Sequence, residues 1–116
     1  MIKLPKDDKI YKWSGHIKGK MIYYRLSSQT VRGILRSPAR TEEGIAPGTS
    51  AAMKRHDTPK RKEEIWVMCR RQKPASGKFK IESSKVIMIS AWRYPGVSRP
   101  GKEIPIPNDI REELGL

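Results

Sequence analysis

The stretch Glu63–Gln72, EEIWVMCRRQ, decides the fold. In an extended chain, successive side chains point to opposite faces. Ile65, Val67 and Cys69 then point one way, and Trp66, Met68 and Arg70 the other. Both faces are apolar at the centre, which predicts a central strand. Lys85–Tyr94, KVIMISAWRY, is a second apolar, β-branched run and predicts its partner. Lys73–Gly77, KPASG, reads as a turn. Phe79 and Ile81 belong either to an extra strand or to a long hairpin arm.

Working towards the N-terminus, Lys54–Lys62, KRHDTPKRK, is polar, basic and broken by Pro59, so an exposed loop is expected. Arg40–Ile45 and Thr49–Lys54 predict two short strands joined across Ala46-Pro47-Gly48. Pro38 stops a helix predicted over Ser28–Arg36, whose apolar side is Val31, Ile34 and Leu35. An earlier helix starts after Ser14, a good N-cap. Ile17, Met21 and Tyr24 fall on one face of it, and His16, Lys20 and Tyr23 share the neighbouring stripe. Residues 1–13 read as a loosely held arm, with a short extended piece around Ile10–Trp13.

Towards the C-terminus, Pro95–Pro107 holds four prolines and two glycines. It excludes regular helix or central strand and predicts an extended surface wrap. Asn108 or Asp109 then caps a short helix, Ile110–Leu114, ended by Gly115. The chain therefore divides into an arm (1–13), a body (14–94) and a Pro-rich tail (95–116). The expected class is α+β. Two N-terminal helices pack on one face of an antiparallel sheet of about four strands, with a short C-terminal helix.

The 116 residues carry 25 Lys and Arg against 12 Asp and Glu, a net charge of +13. Such a field draws in polyanions, so RNA, DNA or an acidic protein surface is the expected partner rather than a small neutral substrate. The charge is uneven. Residues 1–40 hold ten basic side chains and two acids, whereas the last fourteen residues hold four acids and one Arg. That acidic end is either an exposed helix or a cover lying near the basic face. Apolar residues make up 36% of the chain, enough for a small core but not for a large internal ligand cavity. The single cysteine excludes an internal disulfide. No apolar run approaches the ~18 residues of a membrane span, and the N-terminus does not read as a secretory signal. A cytoplasmic protein is expected.

The pattern His16-xxx-Lys20-Met21-xx-Tyr24-Arg25-Leu26-Ser27 is followed by Val31, Leu35 and Pro38, and far downstream by Ile87-Met88-Ile89-Ser90-Ala91-Trp92-Arg93. Over about residues 13–94 this resembles the RelE-like toxin superfamily, in particular the BrnT toxins. Lys20 stands where that family carries Arg, and Trp92 where the toxins often carry another Arg. The resemblance implies a RelE/barnase-EndoU-like fold, RNA as substrate, and an acidic antitoxin covering the basic face at rest.

Metal-independent RNA cleavage needs a base for the ribose 2′-hydroxyl, cations for the phosphate charge and an acid for the leaving oxygen. His16 titrates near neutrality and could serve as base or acid, with Lys20 and Tyr23 beside it; the plain alternative is a structural histidine. The resemblance makes Arg93 with Tyr94 a phosphate-holding and base-stacking pair. Arg70 would join Arg93 only if a bulge or bend intervenes, since antiparallel pairing does not make them neighbours. The expected centre is thus His16, Lys20, Arg70, Arg93 and Tyr94. Lys54, Arg55, His56, Lys60, Arg61, Lys62 and Arg71 are expected to touch phosphate backbone. His56 could complete an acid/base pair or simply be an exposed loop residue. Trp66 and Trp92 read as core, and Cys69 as a buried, inert thiol. Glu42, Glu43, Glu63 and Glu64 form two acidic pairs whose spacing requires no convergence with a histidine, so no metal and no cofactor is expected. The phosphate-cradling Gly motifs are absent, which disfavours nucleotide hydrolysis.

Overall fold

The computed structural model describes residues 3–72 and 85–116. The expected turn at Lys73–Gly77, and Phe79 with Ile81, lie outside them. The elements are β1 (Tyr11–Trp13), α1 (Gly15–Tyr24), α2 (Ser28–Arg36), β2 (Arg40–Glu43), β3 (Ser50–Arg55), β4 (Glu63–Gln72), β5 (Lys85–Pro95) and α3 (Asn108–Leu114). The sheet order is β1-β5-β4-β3-β2. β4 and β5 are its long central pair, and every neighbouring pair is antiparallel except β1 with β5. The sheet therefore has five strands and is mixed, not four and antiparallel. The extra strand is the end of the N-terminal arm, held by Asp8 and Asp7. Asp8 accepts from the Ile10 and Tyr11 amides, and Asp7 from the Trp13 amide.

The alternation of β4 builds two cores. Ile65, Val67 and Cys69 pack under α1 and α2 with Ile17, Met21, Val31 and Met88. Trp66 and Met68 pack on the other side with Trp92, Ile104, Ile106 and Ile110. The helices thus do not share one face. α3 and the Pro-rich segment before it cover the second face, where Ile104 and Ile106 project from either side of Pro105. The Trp66 and Trp92 rings stack with centroids 6.4 Å apart, and the Trp92 indole donates to the Pro105 carbonyl at 2.8 Å. Truncating either ring to Ala would leave a cavity costing about 3–5 kcal/mol.

A bulge in β5 fixes where α1 lies. Met68 pairs with Ser90 but Cys69 pairs with Met88, which leaves Ile89 over. Ser14 sits at this point. Its amide donates to Met88, its hydroxyl donates to Ile89, and the same oxygen accepts from the Ile17 amide as the helix N-cap. β1 guards β5 up to Met88, and α1 guards it from there to Arg93. One helix therefore looks onto both cores. Arg25 ends it in the left-handed conformation, φ 57°, a position where glycine is the usual choice.

Candidate active site

The loop after β3 is a tight hairpin. Asp57 accepts from the Glu63 amide at 2.9 Å, the Thr58 amide donates to Arg61, and the His56 amide donates to the Glu63 carbonyl at 2.9 Å. This brings the side chains bracketing the hairpin together. His56 Nδ1 lies 3.0 Å from Glu63 Oε2. Across the sheet, Arg93 Nη1 donates to the same oxygen at 2.8 Å and lies 3.5 Å from His56 Nδ1. With Nδ1 donating to the carboxylate, Nε2 has no partner among the described residues, and the His56 side chain is 56% exposed. Burial pushes the Glu63 carboxyl up, but the hydrogen bonds from His56 and Arg93 outweigh it and hold it below its usual 4.5.

Arg93 is fixed from behind. Its Nε donates to the Tyr24 carbonyl at 2.7 Å and its Nη2 to the Arg25 carbonyl at 3.2 Å. A cation at the end of α1 also suits the helix dipole. Lys54 stands in the same cross-strand row, with Ile65 between them, so the two lie about 10 Å apart on one face. Glu63 does meet a histidine, yet Arg93 fills the place of a third ligand. Among the described residues, no three His, Cys, Asp or Glu side chains converge.

His16 and Lys20 belong elsewhere. His16 Nε2 lies 2.9 Å from the Ser90 hydroxyl, and its Nδ1 lies 3.3 Å from Glu113. Lys20 donates to Asp109 at 2.8 Å and to Glu113 at 2.6 Å, and the Tyr24 hydroxyl donates to Asp109 at 3.1 Å. The acidic end of the chain is therefore a cover on α1, not an exposed helix and not a cover over the basic hairpin. Burial lowers the His16 pKa, against the pull of Glu113. Burial also raises the Tyr24 hydroxyl well above its usual 10.0, aided by Asp109. Burial raises the Asp109 carboxyl, but Lys20 and Tyr24 outweigh it and the net shift is down. The Ser90–His16–Glu113 order imitates a nucleophilic triad, but Ser90 is fully buried, so no substrate atom can reach it. This cluster is a joint between helices.

The expected grouping of five catalytic residues is thus not found. His16 and Arg93 sit at opposite ends of the α1–β5 seam, about 12 Å apart along the helix. Arg70 pairs with Ile87 whereas Arg93 pairs with Ile65. That separates the two arginines by about 17 Å along the strand, on opposite faces. The bulge intervenes but does not bring them together. Tyr94 is half-buried opposite Glu64 and lines a cleft on the second face. Lys54, Lys60, Arg61, Lys62 and Arg71 are exposed. Arg55, expected to bind phosphate, is committed to Asp57 and to Glu64. Glu64 is itself fully buried and accepts from Trp66, Ser98 and Arg55.

Glu63 is the residue that sequence reasoning missed. The available signal was a histidine and a glutamate bracketing one loop, which a hairpin must bring face to face. The chain matches no protein-family model, and no curated protein or solved structure is significantly similar to it. Among the described residues, no helix is long and apolar enough to cross a membrane.

Proposed function

We propose that this protein binds RNA on its basic surface and cleaves it without metal at His56, Glu63 and Arg93. The observation that carries the reading is the convergence of an exposed imidazole, a carboxylate and a guanidinium on one open point. Glu63 orients the ring through Nδ1, so Nε2 accepts the proton of a ribose 2′-hydroxyl. The 2′-oxygen attacks the adjacent phosphorus while Arg93 and Lys54 stabilise the added negative charge. The bond to the 5′-oxygen breaks, and that oxygen takes a proton from solvent. The products are a 2′,3′-cyclic phosphate and a 5′-hydroxyl. Tyr94 is placed to stack a neighbouring base. The RelE/BrnT-like resemblance belongs to this reading, and with it a cytoplasmic toxin whose basic face is covered by an acidic antitoxin. Two helices ahead of the main antiparallel strands support it.

A second reading rests on Arg93, whose nitrogens are already engaged by two carbonyls and Glu63. That favours a non-catalytic RNA-binding accessory protein on the same scaffold. Incubating the purified chain with single-stranded and structured RNA in EDTA separates the two. Cleavage with cyclic-phosphate ends is expected, falling about 10²- to 10⁴-fold in His56→Ala and unchanged in His16→Ala. Binding with intact RNA would leave only the second reading.

A further inference from the structure

Resting on the cleavage reading, we infer that the cleft between the end of β5 and the Pro-rich segment is a base-recognition site, and that the base it takes is guanine. The cleft has a volume of about 560 Å³. Arg93 lines it, so it shares a residue with the centre at which the phosphate is held. Its walls are Tyr24, Tyr94, Ile104 and the prolines 105 and 107, flat apolar surfaces suited to the face of a heterocycle. Prolines bring no amide N–H. Of the three charged side chains of the lining, Arg93 is already engaged by Glu63 and the Tyr24 and Arg25 carbonyls, so polar recognition falls to Glu103 and Arg111.

These two form an ion pair, and both are partly exposed, at 63% and 35%. Such a surface pair opens at little cost. Opened, it presents a two-pronged acceptor beside a two-pronged donor. Guanine matches both. Its N1–H and 2-amino group donate to a carboxylate, and its O6 and N7 accept from a guanidinium. Adenine offers mixed donor and acceptor edges, and the pyrimidines lack N7. Glu103 and Arg111 both lie outside the stretch whose pattern resembles the toxins, so this specificity would be a property of this chain's own C-terminal segment.

The test is calorimetric titration of the full chain with guanosine, adenosine, cytidine and uridine 3′-monophosphates. The guanosine nucleotide should bind about tenfold or more tightly than the rest. Arg111→Lys keeps the charge but loses the fork, and Glu103→Gln keeps the shape but loses the charge. Both should erase the preference while the thermal midpoint stays put. Arg93→Ala should weaken all four nucleotides alike. Equal binding of the four, or none, overturns the inference even if RNA is cleaved. A guanosine preference in a chain that leaves RNA intact upholds the base site and removes the catalytic reading.

Discussion

The two histidines of this molecule are surrounded by nearly the same chemistry and yet stand in opposite situations. His16 has a glutamate 3.3 Å from Nδ1 and a lysine one helical turn away. His56 has a glutamate 3.0 Å from Nδ1 and an arginine alongside. At His16, however, the second ring nitrogen is taken by Ser90, the side chain is 15% exposed, and Lys20 is matched by two carboxylates. At His56 the second nitrogen has no hydrogen-bond partner among the described residues. Among the described residues, Lys54, Lys60, Arg61 and Lys62 form no ion pair. A histidine with both nitrogens engaged is a joint, whereas one with a single nitrogen oriented keeps the other available to a ligand. The difference is made by α3, which supplies the acids that close the first cluster and, among the described residues, has no counterpart over the second.

Of the two histidine clusters, breaking the joint should cost more stability. Lys20→Ala leaves Asp109 and Glu113 facing a buried stripe without their cation. The loss of a fully buried partner costs about 3–5 kcal/mol. Discounted for the exposure of Glu113, about 2 kcal/mol is expected, read from the urea midpoint. Lys54→Ala, on the open side, should stay within about 0.5 kcal/mol. The order reverses when RNA affinity is measured against salt. Replacing Lys54, Lys60 and Lys62 together by Ala should flatten the slope of log K on log salt by about 2, near 0.7 for each single-strand phosphate that is no longer neutralised. Lys20→Ala should leave the slope alone. Fluorescence anisotropy over a series of KCl concentrations gives both, and a triple variant with an unchanged slope would remove the hairpin from the interface.

The central strands were legible because ten residues with two apolar faces admit few other structures. Both N-terminal helices were legible from Ser14, the apolar stripes and Pro38. The extended piece at Ile10–Trp13 was legible but its place in the sheet was not, since three residues carry no period and β1 is held by Asp7, Asp8 and pairing with a distant strand. The short terminal helix was legible from Gly115, but the Pro-rich segment before it only as an extended wrap. Its Ile104-Pro105-Ile106 alternation does signal two side chains seated on one surface, but composition alone does not say that the surface is Trp66 and Trp92. The site was half legible. The excess of cations is plain in the sequence, whereas which of them are neutralised depends on pairings between residues far apart in the chain. His16 was the natural candidate because an imidazole titrates near neutrality and the resembling pattern of α1 begins with it. The same pattern is what buries it.

The smallest effect sharpens the contrast most. In the fold, burial holds the His16 pKa below its ordinary 6.5, with Glu113 and Asp109 pulling it up and Lys20 pushing it down. A depressed value means that the unfolded chain binds the proton first. Stability from this group is therefore intact above about pH 6.5 and declines as pH falls from there towards the folded value. Glu63, Glu64 and Asp109 are depressed too, from ordinary values of 4.5, 4.5 and 3.8. Their contributions are lost only as pH falls below those values. Between about pH 6.5 and 5 the decline should thus come from His16, and it is small because burial and Glu113 oppose each other. Urea midpoints across that window should fall for the natural chain and flatten in His16→Gln, whose amide still reaches Ser90. Glu63→Gln should leave the decline in place, because the carboxylate it removes serves the other histidine. If Glu63→Gln flattened the window and His16→Gln did not, the two clusters would have exchanged roles.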